Sequence, residues 1–142
     1  MNNVSNPLYP LGRALIGVLF AVSGITKIFG FSYVAGWMAS SGMPFASVLL
    51  AATIVLEIGA GSMLITGIQA RFAALALALF LIPTTAIFHA FWSADAASFQ
   101  GQLTHFLKNV AIFGSVLIVY GIERQRHAGQ ARAAGANSRI AI

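Results

Sequence analysis

The chain contains no cysteine, which excludes disulfides, thiol redox chemistry and thiolate ligation of zinc or an iron–sulfur cluster. Any redox role would need a borrowed group. Charge is almost as scarce, since 8% of the 142 residues are charged and only three are acidic, against about 25% charged in an ordinary soluble domain. The remainder is 58% hydrophobic, with a mean hydropathy of +0.85. That balance describes a membrane protein. The opening MNNVSNPLYPLGR lacks the basic leader that precedes the apolar core of a signal peptide, so the first apolar segment reads as a retained span. The net charge of +5 raises the question of nucleic acid, but the arginines punctuate the ends of apolar segments, and membrane topology explains them better.

Four apolar segments, at about 11–29, 47–68, 72–92 and 103–121, each approach the ~20 residues that a spanning helix needs. The expected fold is all-α, an integral membrane four-helix transmembrane bundle over about 11–122, after a cytoplasmic segment 1–10 and before a basic, flexible tail at 123–142. Backbone polar groups cannot go unsatisfied in lipid, and helices satisfy them locally. If the spans alternate, Arg13, Arg71, Arg124, Arg126, Arg132 and Arg139 fall on one side. The positive-inside rule then places both termini in the cytoplasm. The first outer connection, around Ser32 to Phe45, carries no basic residue, and the second, around Ser93 to Gln102, carries only Asp95. Gly42-Met43-Pro44 and Gly67-Ile68-Gln69 mark turns. Pro83 falls inside the third span, where Thr84 and Thr85 are placed to satisfy the carbonyls it frees.

The few polar residues define faces. Arg13, Gly17, Phe20, Gly24 and Lys27 follow a 4-3-4-3 spacing, one helical stripe with a cation at each end and two glycines for close packing between. Glu57 sits mid-span, with Thr53 and Gly61 four residues to either side, and lies ~15 Å from each end of its segment. It is too deep to reach water by extending. An ionised acid there requires a cation, a water cavity or a proton. It serves either as a structural ion pair or as a proton-accepting or ligand-orienting carboxylate. His105 and Lys108 share a face of the fourth span with Asn109 beside them, and Lys108 is the favoured partner for Glu57 because pairing relieves the desolvation of both charges. His89 and Trp92 close the third span near the outer interface, where aromatic residues form belts. No metal-ligand spacing supports a haem or metal site on His89 and His105.

Four elements in order, Arg13-xxx-Gly17-xx-Phe20-xxx-Gly24-xx-Lys27, Leu56-Glu57-Ile58-Gly59-Ala60-Gly61 with Gly67, Phe88-His89-Ala90-Phe91-Trp92, and His105-Phe106-Leu107-Lys108-Asn109, resemble the DoxX family of small bacterial membrane proteins. The resemblance covers about residues 12–121. It implies an inner-membrane four-helix bundle, and its founding members resemble subunits of quinone-linked thiosulfate oxidoreductases. Most relatives have no assigned reaction, so the family carries the fold further than the activity.

Two functions follow as expectations. In the first, the chain is the membrane subunit of a redox system, quinone-linked and coupled to the oxidation of a sulfur compound, without a covalently held cofactor. Glu57, Lys108 and His89 are then the catalytic candidates, and Lys27, Asn109, His105 and Trp92 the ligand-binding ones. In the second, it is a non-enzymatic membrane module that binds a lipid, a small solute or a partner protein, and the buried charges are structural. Lipids, a quinone, a soluble oxidoreductase or sulfur-handling protein and a second copy of the chain are the partners compatible with these readings; nucleic acid is not.

Overall fold

The computed structural model describes residues 7–140, with side chains to Ala136. Residues 1–6 of the segment expected to be cytoplasmic, and the side chain of Arg139 counted among the topological arginines, lie outside the described residues. The rest is helical, with no strand among the described residues: α1 (Leu8–Phe29), α2 (Phe31–Ser40), α3 (Ala46–Thr66), α4 (Ala70–Phe88), a 3-10 turn (Phe91–Ser93) and α5 (Phe99–Ile140). Four stretches are long and apolar enough to cross a membrane: Leu8–Phe29, Ala46–Thr66, Ala70–Ser93 and Phe99–Ala136. They coincide with the four apolar segments of the sequence.

Residues up to Gln69 and residues from Ala70 form two compact units. In the first, α1 and α3 run antiparallel and touch through glycine. A Cβ on Gly17 would stand 2.5 Å from the Gly61 carbonyl oxygen, and one on Gly61 would stand 2.7 Å from that of Gly17. Only hydrogen fits there. Packing of this kind drives helix association in lipid, where there is no water to exclude. Gly67 ends α3 in the left-handed region at φ 81°, with its N–H donating to the Met63 carbonyl, and the Arg13 guanidinium occupies the space that a Cβ there would need. A cation at the carboxyl end of a helix is also favoured by the helix dipole.

The connection between the first two spans is not a loop. Residues Phe31–Ser40 form α2, which follows directly on Gly30 and packs against α3 with Ala35 and Met38 buried. Two side chains three residues apart suffice to give a short helix one buried edge. In the second unit α4 packs against α5, and Val116, Val119 and Glu123 form the buried stripe of α5. Pro83 does not break α4. The Thr84 hydroxyl donates to the Phe80 carbonyl at 2.8 Å, one residue beyond the Leu79 carbonyl that loses its donor to Pro83. The segment expected to be a flexible tail continues α5 to Ile140, because Ala, Arg and Gln favour helix and the helix is already nucleated upstream.

The outside is apolar. Leu11, Leu15, Val18, Val22 and Ile25 of α1 are exposed, as are Val48 and Val55 of α3, Leu75 and Leu79 of α4 and Leu107, Val110 and Ile118 of α5. Continuous apolar surface on this scale is foreign to a soluble monomer and is the surface that a bilayer covers. The protein therefore contacts lipid along its spans.

Candidate functional site

Polar groups gather at two places, one in each unit. In the first unit, Gly24 brings α1 so close to α3 that a Cβ would lie 2.7 Å from Ile58 Cγ1 and 3.2 Å from Glu57 Cβ. The residues beside it on α1 can then reach the acid. Lys27 Nζ donates to Glu57 Oε2 at 2.8 Å and to Oε1 at 3.1 Å. It also donates to Ser23 Oγ at 2.6 Å, and that hydroxyl in turn donates to Glu57 Oε1 at 3.2 Å. The three side chains close a ring of hydrogen bonds with no net charge.

The cation at Glu57 is thus Lys27, where the sequence argument favoured Lys108. The reason is register: with Gly17 against Gly61 and Gly24 against Glu57, Ser23 and Lys27 fall opposite the carboxylate. The pair is unequally sheltered, the Lys27 side chain being 25% exposed and that of Glu57 only 5%. Ser23 was not among the expected site residues. Its position four residues before Lys27 was the available signal, because that spacing shares a helical face.

In the second unit, His89 Nδ1–H donates to Gln102 Oε1 at 3.2 Å, and its ring stacks on that of His105 at 5.1 Å between centroids and 18° between planes. With Nδ1–H directed at that amide oxygen, Nε2 of the neutral ring is a hydrogen-bond acceptor. Two stacked imidazoles leave no room between them for a haem. No group of three or more His, Cys, Asp or Glu residues suited to a metal occurs among the described residues. Beside the imidazoles stands an aromatic cluster in which Phe91 meets Trp92, Phe99 and Phe106 edge to face at 5.2, 6.0 and 5.1 Å. Gln102, which sequence reasoning left at the end of a loop, opens the helix that presents His105.

A groove of about 360 Å³ lies between α4 and α5, with walls from Trp92, Phe106, Val110 and Phe113 and with Thr85 and Asn109 among its lining residues. Of the expected site residues, it takes Trp92 and Asn109. Lys108 does not line it; its side chain is exposed on α5. Glu123 is buried at the far end of α5, with Arg126 at 3.7 Å. Sequence reasoning missed it because it follows the apolar segment and resembles tail, although it continues the Val116 and Val119 stripe at helical spacing.

The DoxX family profile matches residues 9–90, a stretch that contains Lys27, Glu57 and His89 and ends before Gln102, His105 and Asn109. The chain is similar to the inner membrane protein YphA of Escherichia coli K12, with 26% identity over 77% of this chain and 78% of the relative. It is also similar to the inner membrane protein YqjF of the same organism, with 30% identity over the same shares. No solved structure matches the chain. Four apolar helices together with inner-membrane relatives make this a multi-pass protein of the inner membrane. It belongs to the DoxX family.

Proposed function

We propose that this protein is the membrane subunit of a quinone-linked redox system, holding in its second unit a quinone that a soluble partner reduces. The observation that carries the reading is the stacked His89 and His105 pair, with His89 oriented by Gln102. Reduction of a quinone to its quinol takes up two electrons and two protons. Imidazole exchanges protons near neutral pH, and general acid catalysis requires such a group close to the reacting oxygen. The electrons come from the partner, a sulfur compound being the donor suggested by the family resemblance; a chain without cysteine leaves the sulfur chemistry to that partner. The arginines at the segment ends support both termini in the cytoplasm, which puts the imidazoles at the outer face.

Glu57 has a different part. Its closed hydrogen-bond ring with Lys27 and Ser23 favours the structural reading for this acid. Each carboxylate oxygen already has a donor, so the trio holds α1 to α3.

The test is purification from bacterial membranes in mild detergent, followed by extraction of bound quinone. Close to one quinone per chain is expected, with partner-driven reduction falling at least 10-fold in His89→Ala at unchanged quinone content. Protein that carries no quinone and shows no quinone-dependent turnover with any co-purifying oxidoreductase overturns the proposal.

A further inference from the structure

We infer that the α4–α5 groove is the quinone-ring site, with the ring carbonyls taken by the Thr85 hydroxyl and the Asn109 carboxamide, each one helical turn from an imidazole: Thr85 before His89 on α4 and Asn109 after His105 on α5. This deepens the redox reading and rests on it. Three observations converge. First, the groove's volume of about 360 Å³ falls within the about 300–1,000 Å³ typical of small-molecule sites, and its lining is apolar and aromatic with few polar groups, as such sites are. Second, Trp92, Phe106 and Phe113 all line it, and the edge-to-face contacts of Phe106 with Trp92 at 5.9 Å and with Phe91 at 5.1 Å hold that wall in place. Flat π-faces favour a flat ring.

The third observation selects the ligand's polar atoms. Thr85 is 7% exposed, and its hydroxyl has no hydrogen-bond partner among the described residues, unlike that of Thr84, which is bonded to Phe80. The Asn109 carboxamide, half-buried in the same lining, also has none among the described residues. Neither polar atom is sealed off from the groove, so each keeps hydrogen-bonding capacity that a ligand or water there can use. Both groups can donate to a carbonyl oxygen, and neither carries charge. An acyl chain offers the groove no acceptor, and a phosphate headgroup would meet no cation among its lining residues. A carbonyl-bearing ring with an apolar tail satisfies walls and donors together.

The chain has two tryptophans, so Trp37→Phe leaves Trp92 as the sole indole reporter. The full-length protein in detergent is titrated with a short-tailed benzoquinone, which quenches indole emission on contact. Saturable quenching is expected. Thr85→Val and Asn109→Leu should each weaken the half-saturating concentration about 3- to 10-fold, the range for one lost hydrogen bond, while Thr85→Ser retains most of the affinity. Unchanged melting by circular dichroism confirms that each variant is folded. Quenching that only rises in proportion to quinone overturns the site, and so does saturation that the Thr85→Val/Asn109→Leu pair leaves untouched. Equal competition by a quinone-free phospholipid in the wild type and the pair would reassign the groove to acyl chains. Quinone content at purification separates the two claims: retention in the double variant sinks the groove and spares the redox reading, and absence from the wild type sinks both.

Discussion

The two units meet the same constraint, a polar group held within an apolar span, and resolve it in opposite ways. In the first, glycines bring α1 and α3 together until Lys27, Ser23 and Glu57 satisfy one another. In the second, α4 and α5 leave a groove between them, and the Thr85 hydroxyl inside it has no partner among the described residues. Charge alone is therefore a poor pointer to function in this protein, because the most expensive residue, Glu57, is also the most fully provided for. Saturation discriminates better. A cluster whose donors and acceptors are all used maintains architecture, and one with capacity left over has something to offer a ligand.

The largest effect should come from opening the first cluster. Removing one partner of a buried ion pair costs about 3–5 kcal/mol. The unequal shelter of the two side chains orders the variants: Lys27→Met strands the deeper carboxylate, whereas after Glu57→Gln the lysine can turn towards the surface. Reversible unfolding in mixed micelles should show Lys27→Met as the more destabilised. The double variant Lys27→Met/Glu57→Met should recover more than half of that loss, since a well-packed apolar pair often replaces a buried ion pair at little cost. Independent, additive losses would show that the ring of hydrogen bonds is not the lock inferred here.

A second contrast concerns glycine. Gly61→Ala places a methyl 2.7 Å from the Gly17 carbonyl oxygen and 2.8 Å from the Ala21 nitrogen, so the helices must separate. Overpacking of this sort costs about 1–3 kcal/mol. On α5, Gly114 and Gly121 have nothing within 4 Å of such a methyl, and alanine there should stabilise by about 0.5–1 kcal/mol through backbone entropy. Opposite signs in the same unfolding assay would confirm that close helix approach belongs to α1 and α3. Equal signs would dissolve the distinction.

Most of this architecture was legible because a bilayer leaves few options. Four apolar segments gave four helices, and the Gly17 and Gly24 stripe gave the packing face of α1. Glu57 and Lys27 were both visible as candidates, but their pairing was not. Burial within the apolar spans favoured Lys108, and the actual choice depends on which glycine of α1 meets which residue of α3, a register that no single helix encodes. The helicity of α2 and of the residues after Gly121 was lost for a related reason. Solvent-facing composition was weighed above the contact of Ala35 and Met38 with α3, and above propagation from a helix already formed. Gln102 and Thr85 carry no charge, and nothing in their spacing distinguishes them from interface residues.

The smallest expected effect lies outside the spans, at the connection into α5. Asp95 Oδ1 accepts from the Ser98 hydroxyl at 2.7 Å and from the Ser98 backbone N–H at 2.8 Å, and these bonds, the hydroxyl's first, hold its carboxyl below the ordinary aspartate range. A folded-state value below the unfolded one means that the bonds favour folding while the carboxylate is charged. Their contribution is complete above the unfolded value of about 3.9 and is lost as pH falls through the lowered folded value. Asp95 is fully exposed, so solvent screens the effect. Ser98→Ala should leave a small stability difference from the wild type at pH 7 that shrinks towards pH 3, and should raise the Asp95 titration midpoint read from its carboxyl carbon shift. A midpoint that does not move would mean that the turn before His105 is set by the backbone and not by this side chain, leaving Glu123 with Arg126 as the charged pair of the second unit to set against the lock in the first.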